Sequence, residues 1–333
     1  MKKSTAVAPA NIAFIKYWGQ RDQSLVLPYS DTISMNLSDC FTTTTVILDN
    51  ALVEDMVEIT FFGGTRTRVE GVQAQRVLQH VDRLRTLTHR SERVHIVSEN
   101  TFPQGVGIAS SASAFAALTL ALSDVFDWKG TREELSVLTR LAGSGSACRS
   151  IADGFTKWHK GSSSRTSFCE SLYEPGYWDL RDIVVVVSAD EKKVGSADGH
   201  RFAQTSPLFP SRLKELPRRI AAVEQALSEK NMALLGTTIE EEAISFHSVC
   251  MTSQPGIFYL NGHTLHVMQL LQAWRSEGVA GYFTMDAGPN THVICEADQV
   301  DALCQRLTAV EGVKQLFINK PCRGAHLSTH HLV

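Results

Sequence analysis

Glycines and serines crowd into the segment Pro103-Gln104-Gly105-Val106-Gly107-Ile108-Ala109-Ser110-Ser111-Ala112-Ser113-Ala114, directly ahead of an apolar run. Gly105 and Gly107 permit positive φ and close approach of another group to the backbone. Ala109 and the small residues after it leave the N–H groups of a first helical turn bare. A helix N-terminus also carries a partial positive charge, so a phosphate suits this cradle. The hydroxyls of Ser110, Ser111 and Ser113 could hold its oxygens or a Mg2+ ion. The same residues would equally make a tight turn and a helix packed through Ala and Ser. The pattern is not a Walker loop, which needs Gly-Lys-Ser/Thr, and not the GxGxxG of a dinucleotide fold.

The elements around this loop follow from periodicity. Residues 109–122 are apolar nearly all round and predict a buried helix, while 73–88 are amphipathic. Thr131 and Glu134 form a capping box for a helix running to 141. Strands are expected at 11–16, 32–37, 42–48, 57–62, 94–98 and 183–187 from their β-branched and aromatic content. Later come helices at 213–229 (interrupted by Pro217), 232–247 and 264–276. Strands at 281–285 and 292–296 follow, then a last helix and strand. Strands first and helices later predict an α+β protein of two lobes, 1–182 and 183–333, with a cleft between them.

Composition bounds the rest. A hydrophobic content of 43% lets a chain of 333 residues bury a sizeable core, and the net charge of −3 provides no basic field to gather nucleic acid. The seven cysteines include no CxxC pair, which argues against a zinc ribbon and for reduced thiols. No run approaches the ~20 apolar residues of a membrane span, so a soluble, cytoplasmic protein is expected. Glu240-Glu241-Glu242 ahead of His247 reads as a solvated charge run beside an ordinary histidine rather than a metal site. His326, His330 and His331 read as a polar tail.

The loop resembles the PxxxGxASSAS motif of the galactokinase, homoserine kinase, mevalonate kinase and phosphomevalonate kinase superfamily, where it wraps the triphosphate of ATP. Three further stretches resemble mevalonate diphosphate decarboxylase within it. They are Ala8-Pro9-Ala10-Asn11-Ile12-Ala13-Phe14-Ile15-Lys16-Tyr17-Trp18-Gly19, Gly143-Ser144-Gly145-Ser146-Ala147-Cys148-Arg149-Ser150 and Tyr282-Phe283-Thr284-Met285-Asp286-Ala287-Gly288-Pro289-Asn290. Short matches at Lys192-Lys193 and Ser196 lie between them.

The resemblance implies a GHMP-kinase-like fold and an ATP- and Mg2+-dependent enzyme of isoprenoid biosynthesis. It would phosphorylate the 3-hydroxyl of a 5-phosphorylated mevalonate, then lose phosphate and CO2. Asp286 would orient or deprotonate that hydroxyl, Lys16 would pair with Asp286, and Arg149 would grip the substrate carboxylate. Tyr17, Gln20, Ser144, Ser146 and Ser196 would line the substrate pocket. Gly105, Gly107, Ala109, Ser110, Ser111 and Ser113 would hold ATP, with Ser110 or Ser113 reaching its Mg2+. A homodimer follows the family's habit.

Lys16 inside an apolar strand could instead snorkel to solvent, Asp286 could cap a turn, and Tyr17 and Trp18 could be core. Three positions depart from the family's pattern. Gln20 stands where a lysine is usual, Ala197 where some members have arginine, and Asp153 where glycine is usual. One charge pair at ~4 Å and an effective dielectric of ~20 is worth about 4 kcal/mol before desolvation. All three changes point toward a less anionic substrate, so mevalonate 5-phosphate and 5-diphosphate are equally expected. A 3-kinase that stops before decarboxylation is the alternative, and a silent metabolite-binding protein is a third.

Overall fold

The structure, a computed structural model, describes residues 2–104, 107–188 and 194–333. The first strand, β1 (Lys3–Ala13), is buried along nearly its whole length and pairs antiparallel with the long β4 (Thr32–Leu48). Between them β2 (Gln20–Asp22) and β3 (Leu27–Pro28) form a small hairpin. β4 then continues the sheet toward β5 (Met56–Thr60) and β6 (Arg66–Arg68), with α1 (Gly71–Thr88) and β7 (Val94–Asn100) following in the chain. The sequence predicted two strands where β4 is one, because its two halves take different neighbours. β8 (Phe155–Trp158) pairs residues 32–35 and β7 pairs 42–48, so the composition changes midway without a break.

α2 (Ser110–Val125) lies across β1 and β4 and buries Phe115, Leu118, Leu122 and Val125. Each such side chain contributes roughly 1.5–3 kcal/mol. α3 (Arg132–Arg140) starts at the Thr131–Glu134 capping box. β9 (Cys169–Tyr173) pairs β8 at the edge of this sheet.

The second sheet has the order β11 (Tyr282–Thr284), β12 (Thr291–Glu296), β10 (Leu180–Val186), β13 (Gln315–Asn319). α4 (Ser196–Phe202) precedes α5 (Phe209–Glu229), which packs on α6 (Met232–Thr252), and α6, α7 (Gly262–Ser276) and α8 (Val300–Thr308) pack on this sheet. α5 runs unbroken through Pro217. Proline removes one intrahelical bond, but Leu213, Leu216, Ile220, Val223 and Leu227 hold the helix on a core shared by both sheets.

The last strand, β14 (His326–Ser328), returns to pair β1. The expected polar tail is therefore structured: His331 Nδ1 lies 2.7 Å from Thr5 Oγ1, and His326 sits within β14. Among the described residues no helix is long and apolar enough to cross a membrane.

Candidate active site

β1 ends at Ala13, so Lys16 lies beyond the strand and not within it, as the periodicity had suggested. It does not snorkel. Its side chain is 2% exposed, and the ammonium donates to the Ala13 carbonyl at 2.7 Å and to Asp286 Oδ1 at 2.8 Å. Asp286 leaves β11 in a tight turn, closed by the Gly288 N–H on the Asp286 carbonyl at 2.7 Å. Asn290 anchors the far side of the turn by accepting from Val187 N at 2.8 Å. Burial pushes the Asp286 carboxyl up, but the Lys16 and Arg149 charges outweigh it and hold the group below the usual carboxylate range. Burial also lowers the Lys16 ammonium, against the raising effect of Asp286 and Glu242. The result is an ionised carboxylate at the more open end of a buried pair.

Arg149 sits in a 3-10 turn (Gly145–Ser150) and is buried. Its Nε donates to Asn11 Oδ1 at 3.0 Å, and a terminal nitrogen donates to Thr32 Oγ1 at 3.2 Å. Asn11 in turn donates to Ser150 Oγ at 2.9 Å. Strand β1 thus aims the guanidinium. The same turn presents Ser144 and Ser146, whose hydroxyls are 3.1 Å apart, and Ser144 is 3.1 Å from Ser111. Gly145 is required here, because a Cβ would come within 2.9 Å of the Tyr17 hydroxyl. Tyr17 packs on Trp158 and His200, and its hydroxyl accepts from Gln20 Nε2 at 2.5 Å. Trp18 is core, as one reading of the sequence had it.

The glycine-serine loop leans on the Asp286 turn. Gly107 has φ +95°, and a Cβ on it would lie 2.9 Å from Gly288 Cα. Ala109 adopts the left-handed conformation ahead of α2, which begins with no side-chain cap and no acidic residue in its first turn. Ser110 and Ser111 open onto a cavity of about 150 Å3, walled by Val57, Ile96, Phe115 and Leu118. Ser113 is placed differently from its neighbours. It is fully buried, with its hydroxyl 2.7 Å from Thr42 Oγ1 and donating to the Ser110 carbonyl, so it braces the loop from beneath. Gly105 and the Lys192-Lys193 match lie outside the described residues. Ser196 opens α4 and is half-buried.

Two expectations from charge are corrected. Glu240 and Glu242 are not solvated: they are 7% and 0% exposed, and only Glu241 faces water. Glu242 accepts from the Lys16 N–H at 3.0 Å. Asp153 adds no charge at the site, because its carboxylate pairs with Arg132 at 3.1 Å and accepts from Gly324 N. Asn11 and Glu242 were missed as site residues. Asn11 lay inside a motif already singled out, whereas Glu242 carried no signal beyond an acidic run.

Both halves of the chain match known protein families. Residues 8–169 match the diphosphomevalonate decarboxylase-like N-terminal domain, and 182–326 match the mevalonate 5-diphosphate decarboxylase C-terminal domain. A diphosphomevalonate decarboxylase of Candida albicans is 34% identical over 92% of this chain and 88% of its own length. The chain belongs to the diphosphomevalonate decarboxylase family. Mevalonate diphosphate decarboxylase from Staphylococcus aureus superposes with a TM-score of 0.91 at 33% identity, covering 98% of both chains. A structure of MDDEF in complex with MVAPP, AMPPCP and magnesium gives 0.90 at 31%, again over 98% of both. The protein is accordingly a carboxy-lyase of the mevalonate pathway on a GHMP-kinase fold, and the kinase alternative is not favoured.

Proposed function

We propose that the protein converts mevalonate 5-diphosphate to isopentenyl diphosphate at the expense of ATP. The observation that carries this reading is the buried Lys16–Asp286 pair lying beside Arg149, with the Gly107 loop packed on the Asp286 turn. ATP would seat its phosphates on the loop and its base in the cavity beside Phe115. Among the described residues no cluster of His, Cys, Asp and Glu could cage a metal. The half-open Ser110 hydroxyl suits a Mg2+ that rides on the nucleotide phosphates, where it would neutralise charge during transfer. The proposed division of labour gives residues 1–182 the nucleotide loop and 183–333 the acid turn.

In the first step the 3-hydroxyl oxygen attacks the γ-phosphorus, ADP departs, and the hydroxyl proton passes to Asp286. A carboxylate held below its usual range is a weak base, so Asp286 orients the hydroxyl early and accepts the proton late. Phosphoryl transfer through a loose transition state tolerates that timing. In the second step phosphate leaves C3 with the C–O electron pair. The electrons of the bond to the carboxylate then form the C=C double bond and CO2 is released. Arg149 holds the carboxylate in line until departure, and positioning and fixed charge supply most of the rate.

A second reading has a specific observation behind it. Gln20 is neutral and bonded to Tyr17, and Ala197 has no charge, so a substrate with one phosphate fewer would suit this end of the pocket. CO2 release with Mg·ATP, measured on mevalonate, its 5-phosphate and its 5-diphosphate, tests both. Release from the diphosphate alone supports the main reading; release chiefly from the monophosphate replaces it; ADP without CO2 from any of the three removes both.

A further inference from the structure

Helix α6 meets both halves of the ion pair from one side. Glu242 accepts from the Lys16 N–H at 3.0 Å, and Glu240 accepts from the Phe283 N–H at 3.1 Å in the strand that leads to Asp286. Further along, buried His247 lies near the backbone at Met285, next to Asp286 itself. Glu242 is completely buried and held by two guanidiniums. Arg212 donates to both its oxygens, at 2.9 and 2.5 Å, and Arg219 donates at 3.1 Å. Arg212 also donates to the Lys16 carbonyl at 3.3 Å, so residue 16 is gripped at its N–H and its C=O.

Apolar side chains would fill this space with equal or greater stability, because desolvating an ion cluster costs as much as its attraction returns. A device that places Lys16 has a different use. We propose that Glu242, locked by Arg212, is a positioning residue that fixes the Lys16 backbone and sets a negative charge against its ammonium, so that the ammonium stays in register with Asp286.

The inference rests on the reading that the Lys16–Asp286 pair works in the reaction. Lys16 is faced by Asp286 from the β11–β12 turn, by Glu242 and His247 from α6, by Arg212 from α5 and by Arg149 from the 3-10 turn. Burial lowers the ammonium's proton affinity and Arg149 lowers it further, while Asp286 and Glu242 oppose them. Loss of the Glu242 charge therefore leaves Lys16 deprotonating at lower pH.

The test is the pH profile of kcat for CO2 release. Glu242→Gln is expected to move the alkaline limb down by about half a pH unit or more, with KM for ATP changed less than about two-fold. Glu242→Asp keeps the charge but withdraws it from the Lys16 N–H. Its limb should stay in place while kcat falls about ten-fold. Glu240→Gln removes a buried carboxylate that does not touch Lys16, and should lower Tm with the limb unmoved. A native limb in Glu242→Gln, an equal shift in Glu240→Gln, or a native kcat in Glu242→Asp overturns the proposal. Should Glu242→Gln not fold, Glu242→Asp decides alone. Retained activity in Lys16→Met and Asp286→Asn would instead sink the reading of the pair, whatever Glu242 does.

Discussion

Lys16 and Asp286 are 270 residues apart in the chain and 2.8 Å apart in space, and only the carboxylate end of the pair has appreciable exposure. The cation is enclosed by protein, and the anion is the more exposed of the two. Asp286→Asn keeps the shape and removes the charge. We expect kcat to fall by about a thousand-fold or more with ATP affinity within a few-fold of native, since the lost interaction belongs to the reacting hydroxyl. Single-turnover CO2 release beside nucleotide titration measures the two separately.

Arg149 offers a planar fork that lysine cannot copy. Arg149→Lys also loses the bond to Asn11. CO2 formation should drop by about a hundred-fold, and ADP formation should drop less, because the first step needs the carboxylate only for placement. Quantifying ADP and CO2 in the same reaction gives the ratio; equal losses would remove Arg149 from the second step.

Gly107→Ala puts a methyl group against the Gly288 backbone and a side chain at φ +95°. Strain of about 1–3 kcal/mol at such a position must be relieved by shifting the loop or the Asp286 turn. Both KM for ATP and kcat should worsen, by about ten-fold or more together, with little change in Tm. Initial-rate kinetics and a melting curve decide it.

Two buried imidazoles give the protein an acid-sensitive stability. Burial, aided by Arg83, takes His80 down to about 3, and burial, aided by Lys16, takes His247 down to about 3. Both are neutral in the fold and protonate in the unfolded chain below about pH 6.5. Between those values the unfolded state binds more protons, so this stability is complete above about pH 6.5 and lost as pH falls. At pH 5 the loss is about 2 kcal/mol for each. Urea unfolding at pH 7 and pH 5 should show it, and His80→Gln, which can keep a bond to Thr119, should show about half.

Gln20→Lys restores a cation beside the Tyr17 hydroxyl. If the pocket takes the diphosphate, kcat/KM for that substrate should rise by several-fold relative to the monophosphate, within the few kcal/mol one screened charge can supply. An unchanged ratio would move the distal phosphate away from residue 20.

What was legible in the sequence was local. The loop, the capping box at Thr131 and the three motifs each lie within a dozen residues, and their chemistry could be read from side-chain type. Lys16 was assigned to the wrong kind of element because Phe14 and Ile15 continue the apolar pattern after β1 has ended. Ser113 was grouped with its neighbours because nothing in sequence says which serine of a helical start faces inward. The burial of Glu242 depends on arginines from another helix, 30 and 23 residues away, so an acidic triplet looked solvated. Pairings that the fold brings together leave no mark on either partner alone.

The strand at residues 326–328 pairs with the edge of β1 at residues 5–7, and it is synthesised long after that edge. Until then Thr5, Ala6 and Val7 present an open backbone edge in a sheet otherwise ready to form. An unpaired edge invites another chain, and domains tend to fold as they are synthesised. The long interval between making an edge and making its cover therefore marks β1 as the point where nascent chains would pair with each other, and where a chaperone would have most to shield.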